Sequence, residues 1–135
     1  MLSRIPLGLL HNEGLVQSQT NRTVVTVATN DTYAVNAQYP PIKNMDGPFH
    51  QLLQCEKMSL SSNCISVITN LSGFKKLKCL TLGRNLIKNL HGIESAGDTL
   101  ESLWISYNSI DRLKPIRSLQ KLKVCYTDDF IQVLR

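Results

Sequence analysis

The sequence is short of most of what chemistry at a protein site requires. It holds four cysteines and three histidines in 135 residues, with no Cys-x-x-Cys pair and no histidine at metal-ligand spacing from a cysteine. That removes the common zinc and dithiol motifs. There is no glycine-rich phosphate loop, no Ser/His/Asp set in workable register and no pair of carboxylates at strand ends. Asp128-Asp129 is an adjacent pair that reads as solvated rather than catalytic. The expectation is a protein that is not an enzyme, with no cofactor and no metal. No stretch approaches the roughly 18 apolar residues of a membrane span, so no membrane partner is expected. Ile5 to Leu10 is too short and too broken by Pro6 to be the core of a secretory signal. No basic run is longer than Lys75-Lys76, which argues against nucleic acid.

The charge that is present is unevenly placed. Residues 1–36 balance Arg4 and Arg22 against Glu13 and Asp31, so the whole excess of +5 lies from Ala37 onward. Such a surface favours acidic partners, including acidic proteins, with a charge excess that only solubilises the chain as the alternative. Cys55 and Cys125 fall where leucine would serve, as small core hydrophobes, which suits a reducing, intracellular setting.

What the chain has in quantity is a repeated phrase. Leu77 to Leu90 and Leu100 to Leu113 both fit L-x-x-L-x-L-x-x-N-x-[IL]-x-x-[IL] at every framework position. With position 1 at Cys55, Leu77, Leu100 and Leu122, the units are 22, 23 and 22 residues apart. Position 4 is then Met58, Leu80, Leu103 and Cys125, and position 6 is Leu60, Leu82, Ile105 and Thr127. Position 9 is Asn63, Asn85 and Asn108. Positions 11, 14 and 17 are aliphatic in each of the three units, at helical or 3₁₀ spacing. A fixed period of this kind decides the fold. It predicts an α/β leucine-rich-repeat right-handed solenoid of ~22-residue repeats, with a parallel sheet on its concave face. Three repeats are complete and a fourth is partial. Positions 4 and 6 point inward, because side chains alternate along a strand, while positions 3, 5 and 7 point out. The framework residues are Asn63, Asn85, Asn108, Leu80, Leu82, Leu103 and Ile105. The asparagines turn inward where the chain leaves the strand and satisfy backbone groups that have lost ladder partners.

The chain divides accordingly. Residues 1–36, with a threonine every third position from Thr20 to Thr32, read as disordered or loosely packed, with an added edge strand as the alternative. Residues 37–54 form an N-terminal cap, led by Tyr39-Pro40-Pro41-Ile42 and a turn at Asn44 to Pro48, with Leu52 and Leu53 covering the first repeat. Repeats occupy 55–76, 77–99 and 100–121, with the partial unit at 122–135. In that last unit Phe130 stands where asparagine is expected, and a fourth strand is expected near Lys123 to Tyr126.

On the concave face, position 5 aligns Ser59, Thr81, Trp104 and Tyr126, and position 8 contributes Arg84 and Tyr107. Tryptophan beside tyrosine and arginine, facing away from a core, is the composition of an interface hot spot. The candidate partner-binding residues are Trp104, Tyr107, Arg84, Tyr126, Thr81 and Ser106. The alternative is that Trp104 merely covers the neighbouring strands.

Four phrases carry a resemblance: A-Q-Y-P-P-I-K-N-M-D from Ala37, C-E-K-M-S-L-S-S-N-C-I from Cys55, L-G-R-N-L-I-K-N-L-H-G-I-E from Leu82 and G-D-T-L-E-S-L-W-I-S-Y-N from Gly97. Cys64, Gly83-Arg84, Gly97-Asp98-Thr99 and Trp104 within them are not demanded by the repeat. Through these, residues 37–126 resemble the outer-arm axonemal dynein light chain 1 family. The resemblance implies a non-catalytic light chain in the cytoplasm, cytoskeleton and axoneme of a cilium or flagellum. It implies that the chain binds a dynein heavy chain at the motor domain and tunes beating, with tubulin as a further contact. Two alternatives stay open: a truncated fragment, non-functional or regulatory, and another cytosolic leucine-rich-repeat regulator that binds a phosphatase or tubulin.

Overall fold

A strand of three residues cannot stand alone, and this chain builds its sheet almost entirely from strands of that length. In the computed structural model the described residues are 16–17, 24–25, 27–28, 32–34, 41–45, 53–128 and 131–133. Short strands β1 (Val16–Gln17), β2 (Val24–Val25) and β3 (Val27–Ala28) precede β4 (Thr32–Ala34). The repeats supply β5 (Lys57–Ser59), β6 (Cys79–Thr81), β7 (Ser102–Trp104) and β8 (Val124–Tyr126), and β9 (Ile131–Val133) follows. β4 to β8 run parallel in sequence order, flanked by antiparallel β3 at one edge and antiparallel β9 at the other. β1 and β2 pair with each other as a separate two-stranded sheet.

The solenoid repeat is therefore present. Each repeat strand buries its middle residue, Met58, Leu80, Leu103 and Cys125, and these four lie side by side in the ladder. Position 6 is also buried at Leu60, Leu82 and Ile105. Behind the sheet the core is closed by Ile65 and Ile87, then Ile68 and Leu90, then Leu71, Ile93 and Ile116. Burying aliphatic side chains at about 1.5–3 kcal/mol each is what holds such a row together. The return side is made of 3₁₀ turns at Ile93–Ala96 and Lys114–Ser118, as the apolar spacing implied.

The expectation of a loose segment does not extend to Thr32–Ala34. Tyr33 is 1% exposed and pairs in register with Met58, so it fills a position-4 slot ahead of the first repeat. Burial raises its phenol pKa well above the ordinary value. The threonines at 20, 23, 26 and 29, the lead-in at Tyr39-Pro40, and Leu52 lie outside the described residues. Within the cap, Ile42 and Met45 are buried, while Leu53 stays partly exposed. The fourth strand forms at Val124–Tyr126, within the expected span. Beyond it, β9 returns antiparallel, pairing Tyr126 with Ile131 and Val124 with Val133.

Two glycines show how differently the return side treats a missing side chain. Gly92 sits at φ 99, and a Cβ there would lie 2.4 Å from the Ile68 carbonyl oxygen. No rearrangement of a flexible group can relieve that contact, because the neighbour is backbone. At Gly73 an added Cβ would meet only the end of the Leu53 side chain at 3.1 Å. Gly92→Ala is expected to cost more than about 2 kcal/mol, from left-handed strain plus the clash. Gly73→Ala should stay within about 1 kcal/mol. Urea midpoints of the two variants check this difference.

Candidate functional site

The strand face collects its side chains because the ladder keeps strict register. Ser59, Thr81, Trp104 and Tyr126 are cross-strand partners in one row. Trp104 and Tyr126 stack, with ring centroids 5.1 Å apart and planes inclined at 27°. That is a favourable offset geometry, contributing roughly 0.5–1.5 kcal/mol beyond the area it buries. Trp104 remains 45% exposed, so the stack does not hide it.

On its other side the indole lies over Gly83. A Cβ on Gly83 would sit 3.2 Å from Trp104 Cδ1 and 3.3 Å from its Nε1. The neighbouring units carry serine at this position, Ser61 and Ser106. Glycine in the middle unit thus makes the notch in which the ring rests.

The residue before each framework asparagine adopts a left-handed backbone: Ser62 at φ 58, Arg84 at φ 56 and Tyr107 at φ 59. None is glycine, and each such residue costs on the order of 1–2 kcal/mol. Hydrogen bonds to the next unit offset the strain. Ser62 N donates to Gly83 O at 2.9 Å and Arg84 N to Ser106 O at 2.9 Å. At the third turn the acceptor is the Asp128 carboxylate, to which Tyr107 N donates. Arg84 and Tyr107 are both exposed, and the guanidinium carbon lies 4.9 Å from the Tyr107 ring centroid. Thr81, Arg84, Trp104 and Tyr107, with Ser61, Ser62 and Gly83, line a hollow of about 430 Å³.

Five of the six expected residues therefore sit on one face: Trp104, Tyr107, Arg84, Tyr126 and Thr81. Ser106 does not join them. It is only 8% exposed and does not line the hollow, although Gly83 beside it in the position-7 row does and faces the Trp104 ring.

One row escaped the sequence reading altogether. Position 2 is Glu56, Lys78, Glu101 and Lys123, alternating in sign down the sheet. Lys78 Nζ meets Glu56 Oε2 at 3.0 Å, and Lys123 Nζ meets Glu101 Oε2 at 2.7 Å. The hydrogen bond from Lys123 lowers the Glu101 pKa, and that to Glu56 raises the pKa of Lys78. At the core, burial pushes the Cys125 thiol up to about 11, so it stays protonated near neutral pH and is no thiolate nucleophile.

No family model matches the chain. Curated proteins do. Dynein axonemal light chain 1 of Danio rerio is 58% identical over 77 residues, 56% of this chain and 40% of that protein. Its Homo sapiens counterpart is 60% identical over 65 residues, 48% of this chain and 34% of that protein. That of Chlamydomonas reinhardtii is 41% identical over 85 residues, 63% and 43% of the two chains. The chain spans less than half the length of these relatives.

The Gly83 notch has a direct test. Gly83→Ala should shift the emission of Trp104, the chain's single tryptophan, while the melting transition moves by less than about 1 kcal/mol equivalent. Fluorescence spectra and thermal melts of the variant measure both. Unchanged emission would mean that the indole does not rest there.

Proposed function

We propose that the repeat region belongs to the axonemal dynein light chain 1 family, and that the chain is a non-catalytic interaction module that binds an axonemal dynein heavy chain at its motor domain. The place of action is the axoneme of a cilium or flagellum, and tubulin is a contact of the assembled motor rather than the primary partner.

The observation that carries this reading is the Trp104–Tyr126 stack, with Trp104 exposed in a row whose other members are the small hydroxyl residues Ser59 and Thr81. A large ring held rigid on both sides, by Tyr126 and by the Gly83 notch, loses little entropy when a partner covers it. Tyr107 and Arg84 beside it extend the contact with residue types that dominate interface energetics. Nothing in the core depends on Trp104, which lies outside the row of Met58, Leu80, Leu103 and Cys125.

Trp104→Ala is therefore expected to weaken binding of a heavy-chain motor fragment by about tenfold or more. The melting transition of the chain should barely move. Binding titrations and circular-dichroism melts check the two halves separately. A variant that unfolds shows Trp104 to be core, and one that binds as well as the parent removes the strand face from the interface.

A further inference from the structure

The hollow beside Trp104 has a chemical character of its own. Among the described residues its lining holds one formal charge, Arg84, and no carboxylate. The hydroxyls of Ser62 and Thr81 and the indole N–H of Trp104 are further donors around it. Among the described residues no acceptor takes the Trp104 indole N–H. Arg84 lies over the Tyr107 ring at 4.9 Å, and a guanidinium stacked on an aromatic face keeps its in-plane N–H groups available. The left-handed backbone at φ 56 and the bond from Arg84 N to Ser106 O fix the direction from which the side chain leaves. The hollow on the return side contrasts with this one. At about 620 Å³ it is larger, but it mixes Glu94 and Asp111 with Arg112 and Lys114, so it prefers neither sign.

A cluster of donors with one cation, and with no carboxylate among the described lining residues, is complementary to a carboxylate carried next to an apolar side chain. We propose that this hollow takes an acidic side chain of the partner protein, held by Arg84, while an adjacent apolar side chain of the same segment lies on Trp104. The inference rests on the strand-face reading and narrows it to a partner segment of stated chemistry. The aromatic stack supplies contact area, and Arg84 supplies selection, because a basic or neutral segment would leave the guanidinium without a counter-charge.

The test uses the full chain and a heavy-chain motor fragment, titrated at ionic strengths from about 0.05 to about 0.3 M, a range over which exposed charges become screened. Arg84→Gln should weaken binding about tenfold or more and flatten the salt dependence. Arg84→Lys should recover part of the affinity, and Trp104→Ala should weaken binding without flattening the salt dependence. Arg84→Met, of similar reach and no charge, stands in if the Gln variant melts early. Arg84→Gln binding like the parent while Trp104→Ala is weakened would overturn the carboxylate and leave the strand-face reading intact. Neither variant weakened would overturn both. Arg84→Gln weakened with Trp104→Ala unaffected would keep a charge contact at Arg84 but remove the apolar side chain from Trp104, and the proposal would be overturned.

Discussion

Three asparagine side chains tie each turn of this chain to the one before it, and the rest of the structure depends on that tie. Asn85 Oδ1 accepts from Ile65 N at 3.0 Å, and its Nδ2 donates to Leu60 O at 2.9 Å and Leu82 O at 3.0 Å. Asn108 repeats the pattern one unit on, with Ile87 N at 3.0 Å, Leu82 O at 2.9 Å and Ile105 O at 3.0 Å. Asn63 accepts from Ile42 N at 3.0 Å, so the cap is engaged like a repeat. One amide thus satisfies groups in two successive turns, where the backbone has left the sheet and would otherwise bury unpaired donors and acceptors.

Because the tie recurs at the same place in each of the three complete units, the strands are held in register, and every surface row inherits it. Glu56, Lys78, Glu101 and Lys123 meet as opposite charges for this reason, and Ser59, Thr81, Trp104 and Tyr126 form one line. The site is a by-product of the spacing. Trp104 finds Tyr126 on one side and the Gly83 notch on the other only because units two, three and four are aligned to the residue. Where the asparagine column ends, the pattern ends with it. The fourth unit's sequence has no asparagine at that slot, the Asp128 carboxylate takes the amide of Tyr107, and β9 turns back antiparallel.

The aliphatic columns were legible in the sequence because each repeats one kind of residue at one spacing. The column of Phe74, Ala96 and Leu119, equally buried, was not, since three different sizes fill it. Tyr33 escaped for a related reason: it occupies a leucine slot in a segment with neither the asparagine nor the period of the repeats. Arg84 and Tyr107 were placed on the right face, but their left-handed backbone was hidden, because glycine usually announces it and neither is glycine. Alternation put Ser106 in an outward row but could not report that its neighbours leave it only 8% exposed and outside the hollow. Sequence periodicity reports what is repeated and says little about the single glycine that lets one ring settle.

The tie between turns is most directly tested by amide hydrogen exchange at Ile65 and Ile87, whose N–H groups are received by asparagine side chains rather than by the strand ladder. If the asparagines hold the turns together, both amides should exchange only on global unfolding, as slowly as Leu82, whose N–H is bonded to Trp104 O at 2.7 Å within the sheet. Exchange at the rate of an exposed loop, with Leu82 still protected, would contradict the account.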